Sequence, residues 1–138
     1  ETTRRIYDAY PEKIMGIKEA CGNIAQFAET VSIANGDFAV ISGDDDLAYE
    51  MVKIGGAGLI SVASNAWPKE MKLIVQEKDA IMQAKMGHRI HLLFVEGNPS
   101  GIKTVLSEMG MIENVLRLPM VPCTANTQMV IRRALAQG

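Results

Sequence analysis

Aromatic side chains are scarce in this sequence: one tryptophan, three tyrosines and three phenylalanines make up 5% of 138 residues. Surfaces that stack nucleobases draw on several such rings, so this scarcity argues against a nucleic-acid binder. Charge points the same way. The formal net charge is −2 and acids and bases are interspersed, so there is no basic face for a phosphate backbone and no polybasic segment for a membrane surface. The two cysteines, Cys21 and Cys123, lie far apart with no CxxC pattern and no nearby histidine pair. That spacing argues against a disulfide framework and a structural metal, and it fits a reducing cytoplasm. The longest largely apolar run, IHLLFV at 90–95, is too short to span a bilayer, and no signal-peptide pattern opens the chain. The first residue is Glu1, so we expect an N-terminus that was removed or never included. Neither a GxGxxG turn nor a P-loop stands between a strand and its helix.

What is present is a repeat of strand and helix. A helical stretch, ETTRRIYDAY, stops at Pro11, and KIMGIK follows as a strand. NIAQFAETVSIA has helical spacing, with Ile24, Phe27, Ala28 and Val31 on one face, and NGD at 35–37 ends it. FAVIS is a second strand, DDLAYEMVKI a second helix, GGAG at 55–58 a helix cap and turn, and LISVA a third strand. Near-continuous apolar strands alternating with helices predict a parallel sheet covered by helices. After Asn65 the pattern is helical: PKEMKLIVQEKDAIMQAKMGHRIHLLFVE reads as one helix opening at Pro68, followed by PSGIKTVLSEMG and NTQMVIRRALAQ. The nine methionines fall mostly at helical core spacings, and Trp67 beside Pro68 reads as an anchor for the first of these helices. His88 and His91 read as helix-surface residues, and DDD at 44–46 as a solvated, helix-capping run without the spacing of a calcium loop.

Lys18 stands out because it ends the apolar run IMGIK. In a (β/α)₈ barrel, functional groups collect where strands end and βα loops begin, and Lys18, SGDDD at 42–46 and SNAWP at 64–68 all occupy such places. Period two puts Ile14, Gly16 and Lys18 on one face and Met15 and Ile17 on the other. With Met15 and Ile17 against the helices, Lys18 points into the barrel over Gly16. Two readings stand. A desolvated lysine loses proton affinity, and its neutral amine attacks a carbonyl to form a Schiff base. A strand-end lysine otherwise reaches solvent or pairs with Glu19 or Asp44.

Five ordered motifs, GIKEACGN, ISGDDDL, GGAGLISVASN, FVEGNPSGIK and LRLPMVP, resemble the second half of the dihydrodipicolinate synthases (4-hydroxy-tetrahydrodipicolinate synthases), pyruvate-dependent class I aldolases. The resemblance implies an α/β fold: the C-terminal part of a (β/α)₈ TIM barrel with about three parallel strands, near 14–18, 38–42 and 58–63, within residues 1–66, and a C-terminal helical extension over 67–138. It implies a cytoplasmic homotetrameric lyase that condenses pyruvate with aspartate semialdehyde in lysine and diaminopimelate biosynthesis, with no metal or diffusible cofactor. Lys18 matches the Schiff-base lysine. Gly43 matches a glycine lining the substrate pocket and Ile60 the isoleucine whose backbone carbonyl lies beside bound pyruvate. Asp44 follows Gly43 over the pocket as a further substrate-binding candidate, and its other reading is an acid at the start of the next helix. N-acetylneuraminate lyases and keto-deoxy-sugar aldolases share the lysine and form the nearest alternative. A non-catalytic assembly module is the other, in which Ile24 and Ile54 match positions near subunit contacts.

Departures from the family pattern are as informative. About five of the eight strands expected of a barrel have no counterpart here. With them are missing the family's Thr-Tyr-Tyr proton relay, an arginine for the substrate carboxylate, and most of the feedback lysine site. Between Pro68 and Glu96 the chain is roughly seven residues shorter than the family pattern, as though the turn between two helices were lost: either residues are absent there or two helices have fused. We therefore expect a C-terminal fragment that has little or no turnover alone.

Overall fold

In the computed structural model, which describes residues 1–33 and 38–137, three short strands pair in parallel in the order β1-β2-β3. They are β1 (Gly16–Glu19), β2 (Ala39–Ser42) and β3 (Gly58–Leu59). Gly16 opposes Ala39, Lys18 opposes Ile41, and Ile41 in turn opposes Gly58. A Cβ on Gly16 would collide with the Ala39 carbonyl oxygen, so β1 and β2 approach closely because the first residue of β1 has no side chain.

Seven helices accompany the sheet among the described residues: α1 (Thr2–Ala9), α2 (Ile24–Ile33), α3 (Ala48–Lys53), α4 (Pro68–Gln76), α5 (Ala80–Phe94), α6 (Ser100–Glu108) and α7 (Ala125–Ala136). Short 3₁₀ turns at Asp45–Leu47 and Ala63–Asn65 follow β2 and β3. Phe27 of α2, Phe38 and Val40 of the β2 region and Met51 of α3 form one buried cluster between the sheet and its helices. A larger cluster joins Ala48 and Ala63 to Trp67, Ile74, Ile90, Leu93, Val105 and Ile131, so the helices after Pro68 share a core with the βα units. The close packing of α6 on α5 depends on Gly101, whose Cβ would strike the backbone of Leu93.

Several expectations are corrected. The stretch from Pro68 to Glu96 holds two helices, not one. Lys78 takes a positive φ of 53° and Asp79 then caps α5, its carboxylate accepting the Met82 N–H at 2.9 Å. A capping acid offers the chain a helix start that periodicity alone does not reveal. DDLAYEMVKI divides into the Asp45–Leu47 turn and α3. The third strand pairs only over Gly58–Leu59 and not through 63, since Val62 and Ala63 give their N–H groups to a side chain instead. Strand alternation holds from Gly16 onward but not before it: Ile14 packs on the Phe27 cluster and Met15 is 80% exposed. On α2 the buried residues are Phe27 and Thr30, while Ile24 and Ala28 are exposed. Met51, Met71 and Met86 are buried, but Met15, Met109, Met111, Met120 and Met129 are exposed, so core packing accounts for a minority of the methionines. Trp67 is buried, and His88 and His91 are exposed. The NGD stop at 35–37 lies outside the described residues.

Candidate functional site

The C-terminal ends of the three parallel strands form one rim. Val40 and Ser42 are buried toward the helices, and the hydroxyl of Ser42 meets Met51 of α3. Alternation and register therefore put Gly16, Lys18, Ile41, Gly43, Gly58 and Ile60 on the opposite, open face. The ladder continues one residue past each strand. The Gly43 N–H donates to the Glu19 carbonyl and the Ile60 N–H to the Ser42 carbonyl, each at 2.8 Å.

Lys18 and Gly43 are in direct contact. An ideal Cβ on Gly43 would sit 2.5 Å from Lys18 Cε and 2.6 Å from Ala20 Cβ, so the lysine stem crosses the space that any side chain at position 43 would fill. Lys18 itself is exposed, because none of the described residues covers the open face of the sheet above it. The acids suggested as its partners are engaged elsewhere. Glu19 accepts the Cys21 N–H and the Gln26 amide, both at 3.0 Å, and Asp44 accepts the Gly22 N–H at 3.0 Å. Among the described residues, Lys18 forms no ion pair.

Two carboxylates brace the loops of this rim through hydrogen bonds that the sequence did not reveal. Glu19 locks the turn directly after Lys18, in which Gly22 has φ +70°. Hydrogen bonds from the Gln26 amide and from Cys21 hold Glu19 below the usual carboxylate range, and the same carboxylate pushes the exposed Cys21 thiol up. Asp45 is 1% exposed, and its Oδ2 accepts the N–H groups of Val62 at 2.9 Å and Ala63 at 3.0 Å. This corrects the reading of DDD as a uniformly solvated run: Asp46 is exposed, Asp44 is half-buried and Asp45 is in the core. No local signal separates the three, since the groups that hold Asp45 lie 17 and 18 residues away. Asp44 starts the Asp45–Leu47 turn without a side-chain capping bond, its carboxylate turning to Gly22 instead. Ile60 is half-exposed beside the rim. Among the described residues no group of three or more His, Cys, Asp or Glu is gathered to hold a metal ion. Nor is any helix among them long and apolar enough to cross a membrane.

Known proteins match this chain along its length. The family model described as the dihydrodipicolinate synthetase family matches residues 1–138. The 4-hydroxy-tetrahydrodipicolinate synthase of Thermotoga neapolitana is 40% identical over 148 aligned positions, taking in 100% of this chain and 50% of the relative. The aligned length exceeds 138 residues, so that relative carries positions with no counterpart here. The crystal structure of dihydrodipicolinate synthase from Thermotoga maritima superposes with a TM-score of 0.89 at 38% identity, over 99% of this chain and 50% of that one. The chloride-inhibited dihydrodipicolinate synthase from Acinetobacter baumannii complexed with pyruvate superposes with a TM-score of 0.83 at 35% identity, over 89% of this chain and 45% of that one. The chain thus spans about half the length of the relatives it matches. A match that runs from the first residue to the last, together with the same placement of three parallel strands and their helices, means that this chain belongs to the dihydrodipicolinate synthetase family.

Proposed function

We propose that these 138 residues work as the C-terminal half of a (β/α)₈ barrel, residues 1–66 supplying the last βα units and 67–138 a helical extension. In the complete barrel Lys18 is the Schiff-base lysine of a lyase that condenses pyruvate with aspartate semialdehyde. The carrying observation is the lysine stem lying across Gly43, in the space that any side chain there would fill, so that glycine lets the amine stand at the rim of the strand ends. The likeness to a relative complexed with pyruvate supports that choice of substrate.

In this reading the neutral Lys18 Nζ attacks the pyruvate ketone and water leaves as the iminium forms. The iminium accepts the electron pair released when a methyl proton is lost, and the resulting enamine carbon attacks the aldehyde. Gly43 keeps the approach to the amine free, the Ile60 backbone carbonyl borders the bound keto acid, and Asp44 closes the loop above them. The missing half of the barrel supplies the cover that these residues lack, together with the proton relay. The complete enzyme is a cytoplasmic homotetramer without a metal or diffusible cofactor.

Borohydride reduction of the complete barrel with pyruvate should add a pyruvate-derived mass at Lys18, and Lys18→Ala should abolish it. An undiminished adduct in the variant would remove Lys18 from this role. Cleavage of sialic acid by the same preparation, without condensation of aspartate semialdehyde, would move the assignment to the neuraminate lyases.

A further inference from the structure

Asp45 is a buried acid with no cation paired to it among the described residues. Aspartate is rarely found fully buried unless it is paired, because stripping water from a carboxylate is costly. Here the backbone compensates one oxygen only: Oδ2 takes both the Val62 and Ala63 N–H groups, while Oδ1 is buried without a hydrogen-bond partner. Those two amides follow Ile60 by two and three residues, and Asp45 follows Gly43 by two. One side chain therefore ties the loop carrying Gly43 to the loop carrying Ile60. Its own backbone is held as well. The Asp45 carbonyl accepts the Gln83 amide of α5 at 3.1 Å, and Gln83 also donates to the Asp46 carbonyl and accepts the Tyr49 N–H.

The neighbouring aspartate works in the opposite direction. Asp44 Oδ2 accepts the Gly22 N–H, in the loop that leaves Lys18, and the Asp44 N–H donates back to the Ser42 hydroxyl at 3.1 Å. Successive side chains of the middle loop thus reach the loop on either side. Lys18, Gly43 and Ile60 sit on three separate strand ends, and a parallel sheet alone does not set the heights of their loops.

We propose that Asp45 is a positioning residue: by clamping the Val62 and Ala63 amides it holds the Ile60 segment at the height where a keto acid bound to Lys18 meets it. This rests on the reading of Lys18 as the Schiff-base lysine. Asp45 touches no substrate and acts through the Ile60 loop alone. An amide oxygen accepts the same two N–H groups, so asparagine preserves the clamp while alanine releases it.

The test uses the complete barrel, well below its melting temperature. Asp45→Ala should raise KM for pyruvate and slow borohydride trapping by about ten- to a hundredfold through loss of alignment. Asp45→Asn should restore both to within about threefold, because the hydrogen bonds are kept. A purely structural role would lower the melting temperature of Asp45→Ala and leave KM and trapping unchanged, and that result overturns the proposal. Should Asp45→Ala fail to fold, hydrogen exchange in the unmodified protein decides: the Val62 and Ala63 amides should be the most protected in their loop, and rapid exchange at both overturns the clamp. Lys18→Ala run alongside separates the two ideas. Loss of its adduct with normal kinetics in Asp45→Ala sinks only the clamp, whereas persistence of its adduct sinks the lysine reading on which the clamp depends.

Discussion

Replacing Gly43 by alanine isolates the contact on which the proposed chemistry depends. The φ of Gly43 lies outside the left-handed region, so alanine meets no backbone penalty and the effect is steric. Its methyl group would lie 2.5 Å from Lys18 Cε and 2.6 Å from Ala20 Cβ. Carbon atoms settle at ~3.5–4 Å, so each neighbour must retreat by about 1 Å. The two neighbours respond differently. Lys18 Cε is near the end of a flexible chain and swings aside at small cost, whereas Ala20 Cβ moves only with its backbone. Overpacking of that kind costs about 1–3 kcal/mol of stability. Reactivity should suffer more, because a displacement of about 1 Å at a reacting group costs on the order of 10²-fold in rate. Trapping of pyruvate by borohydride should therefore slow about a hundredfold in a complete barrel carrying Gly43→Ala, while urea denaturation still shows a cooperative, folded protein. Trapping at the unmodified rate with unchanged stability would mean that the Lys18 stem does not lie across Gly43 when pyruvate binds.

Other substitutions and conditions test neighbouring parts of the argument. Gly101→Ala should destabilise by about 3 kcal/mol, since its methyl meets the backbone of Leu93 rather than a movable side chain. Gly87→Ala, in the interior of α5 with nothing within 4 Å of the added carbon, should instead stabilise by about 0.5–1 kcal/mol through helix propensity; denaturant midpoints read both. Glu19 is held below its ordinary value of 4.5, so its contribution is present above that pH and is lost as pH falls through the lowered value. Protection of the Cys21 amide relative to its intrinsic exchange rate should therefore fall at low pH, and Glu19→Gln should flatten that dependence. The 138-residue chain alone should show little condensation of pyruvate with aspartate semialdehyde, and mixing it with the N-terminal half should give a defined complex by size exclusion. Lys18-dependent turnover by the chain alone, near that of a complete family member, would contradict the need for a closed barrel.

Local sequence chemistry determined a good deal of this protein. Apolar runs broken by helical periodicity placed three parallel strands in order, Trp67 was legible as an anchor, and the run IMGIK put Lys18 at a strand end. Each of these features is written in side chains within a few residues of one another. Tertiary structure alone decided the rest. The break at Glu77–Asp79 depends on a left-handed Lys78 and a capping Asp79 in a stretch whose periodicity runs on without interruption. The third strand stops after Leu59 because amides that could have extended it are taken by Asp45, far away in sequence. The fates of Asp44, Asp45 and Asp46 differ for the same reason. Three identical residues in a row have the same local chemistry, and only the loops folded around them determine which is bridged, which is buried and which is left in water.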